Sequence, residues 1–356
     1  MAYRFDAVPK ALVAERRAQF TALGIPARIV DGVAGRLGEE LWDDAPGSWV
    51  SEWSAEAAAA EAGGDLLLAS LCFGAAKYPC LASRAHEIAY GEQLRTYLAA
   101  APAFPLTFER RVLEVAYRGE ATPVPVHVYR RPGGSSAVPV VVMLGGVDTW
   151  KMDIHQSLLQ AAERMDVTVV GVDGPGVGES KVASRPDGVL ILAGVAAQVR
   201  SLGNGSVGVA AWSFGATWAV KLALTGEVDA AVAIGGPVEL AFDLSTVRNW
   251  PNGMSGIMGN SLHRDTPFAG PEATATGLAG FRLSAQGLLG GWGATPTPLF
   301  VANGANDPYV PPSDTTMFEG RPNTVVRLEA GATHCAAERS RDVIPAALQW
   351  LRSQLD

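Results

Sequence analysis

Ser213 lies in the pentapeptide Ala211-Trp212-Ser213-Phe214-Gly215, directly after the β-rich run SVGVA and before the helix-forming stretch ATWAVKLAL. A serine on a sharp turn from strand to helix has its hydroxyl exposed, and the helix N-terminus that follows favours negative charge. Gly215 permits close packing beneath such a turn. Ala211 stands where a glycine is more usual, and its small size makes the exchange tolerable. A serine hydroxyl is a weak nucleophile, so it needs a base, and the base needs an acid to orient it. Asp307 follows the run TPLFVANG in the phrase GANDPYVPP, and His334 follows NTVVRLEAG in GATHC. Both then fall at the ends of strands, on the sheet edge that also carries Ser213. Asp307 before Pro308 also fits a plain turn, and Asp314 and Glu239 are rival acids. Order and context together favour Ser213 as nucleophile, His334 as base and Asp307 as orienting acid.

Acyl-transfer chemistry also needs donors for a developing oxyanion. The N–H of Phe214 qualifies by position. A second donor is expected from the loop after VVVMLGG, where Gly145 and Gly146 let backbone approach closely; Val147 is the first choice and Gly146 the rival. The remaining histidines, His86, His127, His155 and His263, show no metal-ligand spacing, and Cys72, Cys80 and Cys335 form no CxxC pattern. The segment GVDGPGVGES lacks the G-x-G-x-x-G spacing of a dinucleotide loop and reads as a tight strand-to-helix connection. No metal and no cofactor is expected.

These residues need a scaffold that delivers them to one edge. Apolar runs at 138–146, 167–173, 205–213, 229–236, 297–304 and 323–331 alternate with helical stretches. That pattern predicts an α/β chain whose mostly parallel sheet is covered by helices on both faces. LTFERRVLEVAYRG and TPVPVHVYRRPGG alternate as an antiparallel hairpin turning near Gly119, which makes the sheet edge mixed. Residues 1–105 read as helical throughout and residues 106–356 as the catalytic core. A Gly-, Ser- and Asn-rich stretch at about 237–295 reads as a small helical insertion over the site. Aromatic residues of the first segment (Trp42, Trp49, Trp53, Phe73, Tyr78) and of the insertion (Trp250, Phe268, Phe281, Trp292) are candidates for an apolar pocket wall, or for ordinary core.

Composition removes other classes. The 356 residues are 48% hydrophobic and 18% charged, with a net charge of −8, which excludes a disordered chain and argues against a nucleic-acid partner. No uncharged apolar run is long enough to span a membrane, and the N-terminus has no signal-peptide core, so the cytoplasm is expected. Arginine far outnumbers lysine in an Ala- and Gly-rich chain, which suggests a GC-rich bacterial source.

LGGVDTWKMD, VDGPGVGES, AWSFG, GANDPYVPP and GATHC together resemble the α/β-hydrolase superfamily, whose triad runs in the order Ser, Asp, His. More narrowly, the motifs resemble the branch holding 2,6-dihydroxypseudooxynicotine hydrolase, the FrsA-like esterases and the fungal polyketide-shortening hydrolases. The resemblance spans about residues 70–350 and includes FGAAKYP…AHEIAYGEQLRTYL, which is similar to that branch's N-terminal cap. It implies an α/β-hydrolase fold with an N-terminal helical cap. The implied activity is cleavage of a C–C bond next to a ketone, or of an ester, in a bulky aromatic or polyketide-like small molecule. It also implies an auxiliary role for Asp148, since an acid in this loop assists the triad of the C–C hydrolases. From the residues alone, Asp148 either binds substrate or relays a proton, or else braces the loop by pairing with Lys151 or an arginine. Gly146, Trp150 and Trp212 complete the expected substrate-side set; Trp150 stands where that branch usually has a small polar residue, so the resemblance leaves pocket shape and substrate open. An acyltransferase or noncanonical cyclase of secondary metabolism on the same fold is the alternative, and a homodimer is open.

Overall fold

The computed structural model describes residues 5, 7, 9–43, 45–135, 137–262, 270–290 and 296–355. Five helices come first: α1 (Pro9–Ala22), α2 (Ala27–Ala34), α3 (Trp49–Ala62), α4 (Leu66–Ala76) and α5 (Arg84–Ala100). The sequence pattern ran α3 and α4 together, but Gly63-Gly64-Asp65 separates them. Gly64 takes φ 84°, and the Asp65 carboxylate caps α4 by accepting from the Leu68 N–H at 3.0 Å. Trp42, Trp49, Trp53 and Tyr78 pack among themselves and against Phe20 with ring centroids 5.2–6.2 Å apart, so they form the core of this helical cap.

The sheet begins with β1 (Thr107–Tyr117) and β2 (Glu120–Arg130), paired antiparallel. Their two-residue turn puts Arg118 at φ 52° and Gly119 at φ 85°, the double positive φ that matches strand twist in a tight hairpin. The remaining elements run β3 (Val140–Leu144), α6 (His155–Met165), β4 (Thr168–Val172), α7 (Val189–Val199), β5 (Val207–Trp212), α8 (Phe214–Thr225) and β6 (Ala230–Ile234). They continue with α9 (Leu244–Val247), α10 (Met254–Ser261), α11 (Pro271–Leu278), β7 (Leu299–Gly304), α12 (Pro312–Thr316), β8 (Thr324–Glu329) and α13 (Ser340–Ser353).

Strand order is β1-β2-β4-β3-β5-β6-β7-β8, with every pair from β4 to β8 parallel. Every residue of β3, β4 and β6 is buried, as expected of strands covered on both faces. The chain leaves β3 for β4 on one side and returns to β5 on the other. The loops after β3 and β5 therefore part at a topological switch point, where open α/β sheets leave a crevice.

Among the described residues, three helices, α9–α11, form the insertion between β6 and β7. Phe281 packs on Phe214, Trp218 and Phe242 as core, while Phe268, Trp292 and His263 lie outside the described residues. The connection after β4 is not the tight turn the sequence suggests. It winds through residues 173–188 before α7, with a 2.6 Å bond from the Gly176 N–H to the Val182 carbonyl. Among the described residues no helix is long and apolar enough to cross a membrane.

Candidate active site

Ser213 occupies the turn between β5 and α8 at φ 53°, ψ −132°, a conformation costly for a side chain with a Cβ and one that persists only when its surroundings enforce it. The Ser213 N–H donates to the Ile234 carbonyl at 2.8 Å, which ties the turn to the end of β6. Ala211 is buried between Leu144 of β3 and Ala233 of β6. The two glycines here are required by space. A Cβ on Gly215 would sit 2.0 Å from the Gly145 carbonyl oxygen, and one on Gly146 would sit 2.9 Å from the Ser213 Cβ. The loop after β3 thus lies directly against the serine.

His334 and Asp307 meet Ser213 from β8 and β7. His334 Nε2 is 2.9 Å from Ser213 Oγ, and His334 Nδ1 is 2.6 Å from Asp307 Oδ2. The carboxylate on one side favours the tautomer with its proton on Nδ1, which leaves Nε2 to accept from the serine hydroxyl. Asp307 is held in turn. The Asn303 amide donates to Oδ2 at 2.8 Å, and the N–H groups of Tyr309 and Val310 donate to Oδ1 at 2.7 and 3.2 Å. Asn303 also accepts from the Cys335 N–H at 3.0 Å, so one amide fixes both Asp307 and the residue after His334. Cys335 and Ala336 take φ 57° and 52°, turning the chain sharply after His334.

Burial alone would raise the Asp307 pKa, but the His334 charge and the hydrogen bonds from His334, Tyr309 and Asn303 hold it below the usual carboxylate value. For His334, burial opposes the cation, while the Cys335 side chain and the Asp307 carboxylate outweigh it and raise the pKa well above that of an ordinary imidazole.

The rival acids are engaged elsewhere. Asp314 is buried in α12 and accepts from the N–H groups of Val238, Glu239, Leu240 and Ala241 at 2.8–3.3 Å, holding the chain as it leaves β6. Glu239 accepts from the Ser284 N–H at 3.1 Å. Of the other described histidines, His127 and His155 are buried around Tyr97, and His86 sits beside Ser83.

Phe214 opens α8, so its N–H has no partner within the helix. Val147 and Gly146 are buried beside the turn. The loop that follows is pinned to the cap by a buried ion pair. Asp153 accepts from Lys77 Nζ at 2.7 Å, from the Trp150 N–H at 2.7 Å and from the Gln93 amide at 2.6 Å. Lys77 also donates to the Asp148 carbonyl at 2.8 Å and lies 3.7 Å above the Trp150 ring, while the Trp150 indole donates to the Val147 carbonyl at 3.0 Å. Trp150 is thus packed into the loop's support. Trp212 is half-buried and precedes the serine.

Asp148 pairs with Arg16 of α1 at 3.1 Å and accepts from the Thr149 hydroxyl at 3.0 Å. Lys151 is not its partner; that lysine is buried against Asp173 at 2.5 Å and Glu179 at 2.8 Å. Sequence reasoning missed Asn303, Tyr309, Lys77, Asp153 and Arg16. Asn303 had a signal, being a polar residue at the end of an otherwise apolar strand. The others act across contacts that no local pattern marks.

A profile described as FrsA-like esterase matches residues 21–334. The chain belongs to the FrsA-like esterase family. This family membership makes it an α/β-hydrolase enzyme with esterase or hydrolase chemistry. The esterase FrsA of Escherichia coli O157:H7 is 29% identical over 321 residues, covering 83% of this chain and 75% of the relative. Among solved structures, AbyA5 superposes with a TM-score of 0.79 at 20% identity, over 96% of this chain and 94% of its own. The crystal structure of 2,6-dihydroxypseudooxynicotine hydrolase superposes with a TM-score of 0.74 at 20% identity, over 95% of each chain. Identities this low establish the shared α/β-hydrolase fold alone. Within the FrsA-like family, this chain has the small-residue turn and an acid in the loop after β3.

Proposed function

We propose that this FrsA-like chain is a serine hydrolase working through an acyl-enzyme on Ser213. The observation that carries the reading is the continuous relay from Ser213 Oγ to His334 at 2.9 Å and on to Asp307 at 2.6 Å, at the mouth of the switch-point crevice. His334 Nε2 takes the hydroxyl proton as Ser213 attacks the carbonyl, and Asp307 stabilises the resulting imidazolium. The Phe214 N–H, with that of Val147 or Gly146, receives the oxyanion. His334 then gives its proton to the leaving group and activates the water that releases the acid.

The proposed substrate is a bulky aromatic or polyketide-like ester or ketone. If the leaving atom is carbon, its electron pair must be held as an enolate or by an electron-poor ring, which favours β-diketone or hydroxyaryl-ketone substrates. Asp148 lies in the loop beside the serine and is engaged by Arg16, a position from which it shapes the substrate side of the site.

Ser213→Ala tests the reading on 4-nitrophenyl acetate. Loss of kcat by roughly 10³-fold or more is expected, because removing the nucleophile leaves only binding and oxyanion donors. Retention of more than a tenth of the wild-type rate would contradict it.

A further inference from the structure

Arg16 is delivered into the wall of the site by α1, ahead of the family match, which starts at residue 21. Its guanidinium is 5% exposed and is bonded on one side to Glu15 at 3.0 Å and on the other to Asp148 at 3.1 Å. It stacks 4.6 Å over the ring of Tyr78, itself 2% exposed. This group of side chains reaches His334 through Tyr309 and, on its other side, belongs to the loop that abuts Ser213. Asp148 lies two residues from Gly146, whose backbone abuts Ser213, and Glu15 accepts from the Tyr309 hydroxyl at 3.0 Å while the Tyr309 ring sits 5.2 Å edge-on to His334.

Two buried polar atoms in this group have no hydrogen-bond partner among the described residues, Arg16 Nε and the Tyr78 hydroxyl. Each such orphan carries a desolvation cost that a ligand atom can relieve. Arg16 Nε–H is a donor only, and a tyrosine hydroxyl readily donates, so the matching ligand atom is an acceptor oxygen. Its charge is limited by the company it keeps. One guanidinium already faces two carboxylates, so a carboxylate or phosphate would meet net repulsion, while a neutral carbonyl or enol oxygen would not.

We infer that Arg16 and Tyr78 form a specificity site for a second carbonyl or enol oxygen of the substrate, beyond the carbonyl that Ser213 attacks. This rests on the serine-hydrolase reading and deepens it. In C–C cleavage the bond between the attacked carbonyl carbon and the neighbouring α-carbon breaks, and its electron pair passes into an enolate ending on that second oxygen. The His334 proton goes to the α-carbon, and the acyl group stays on Ser213 until water releases it. Two donors placed on the second oxygen orient it and offset the repulsion that its developing charge meets from Glu15 and Asp148.

The test uses inhibition of 4-nitrophenyl acetate hydrolysis by benzoylacetone and by 1-phenylbutan-1-one, which lacks the second carbonyl. Wild type should bind the diketone at least tenfold more tightly than the monoketone. Tyr78→Phe and Arg16→Lys should each bring the ratio within threefold of one, Arg16→Lys keeping the positive charge between Glu15 and Asp148. Labelling of Ser213 by a fluorophosphonate in each variant reports whether the triad is assembled, so failure of the nucleophile reading shows there and not in the ratio. No diketone preference in wild type would overturn the inference. So would a wild-type preference retained in Tyr78→Phe, the result expected if only a water uses the hydroxyl.

Discussion

At His334 the proton balance is set by neighbours pulling in opposite directions, burial against the cation and Asp307 and Cys335 for it, with the raised pKa as the outcome. A general base must be neutral to accept the serine proton, so activity rises as pH climbs through the His334 pKa. The ascending limb of kcat/KM should therefore lie above the range of an ordinary imidazole. Asp307→Asn removes the charge that favours the cation and moves that limb to lower pH, while the wrong tautomer cuts the rate by roughly 10³–10⁴-fold. A pH profile of both enzymes on one ester checks this; an unmoved limb would mean that Asp307 does not set the base. Ser213, Asp307 and His334 were legible in the sequence because each sits in a short phrase at the end of an apolar run. Asp148 was legible as an acid in the right loop and an arginine as one of its alternative partners, but not which arginine. Arg16 reaches it through tertiary packing of α1, and no spacing encodes that contact.

On α8, the helix that follows Ser213, Lys221 is buried with its Nζ 5.0 Å from the Trp218 ring and 4.9 Å from the Phe281 ring, and its contact to the Pro186 carbonyl is a long 3.4 Å. Burial pushes its pKa down to about 7, with Asp187 opposing the shift. A lysine whose folded pKa is depressed weakens the fold wherever the unfolded chain still holds the proton. The penalty is full below the folded value and fades as pH rises toward the unfolded value near 10.5. Lys221→Met should stabilise the protein by on the order of 4 kcal/mol at or below neutral pH and by little above pH ~10. Urea unfolding at pH 6.5 and 10 reads the difference; equal gains at both would refute the titration argument. The elements themselves were well marked in the sequence, strands by continuous apolar runs and the hairpin by alternation. The connection after β4 was misjudged because its glycines serve a wound loop held by backbone bonds between distant residues, where the sequence suggested a short turn.

Over the whole molecule, the site is built where cap and sheet meet. The parallel sheet supplies the switch point, and the Lys77–Asp153 pair fastens the cap to the loop that holds Val147 and Asp148. Both partners are buried, so Lys77→Met leaves an uncompensated carboxylate and should cost about 3–5 kcal/mol, read from the denaturant midpoint. A loss below 1 kcal/mol would show that the cap is held by apolar packing alone. The α/β architecture and the helical start were legible because period and composition differ between the two parts. The fastening was not, since it joins residues of one helical segment to a loop far along the chain. The central claim, an acyl-enzyme on Ser213 in this FrsA-like hydrolase, is tested most directly by mass spectrometry after reaction with a fluorophosphonate. A single adduct on the Ser213 peptide, absent in Ser213→Ala and slowed in His334→Ala, is the predicted result; an unlabelled wild type, or an adduct that persists in Ser213→Ala, would contradict it.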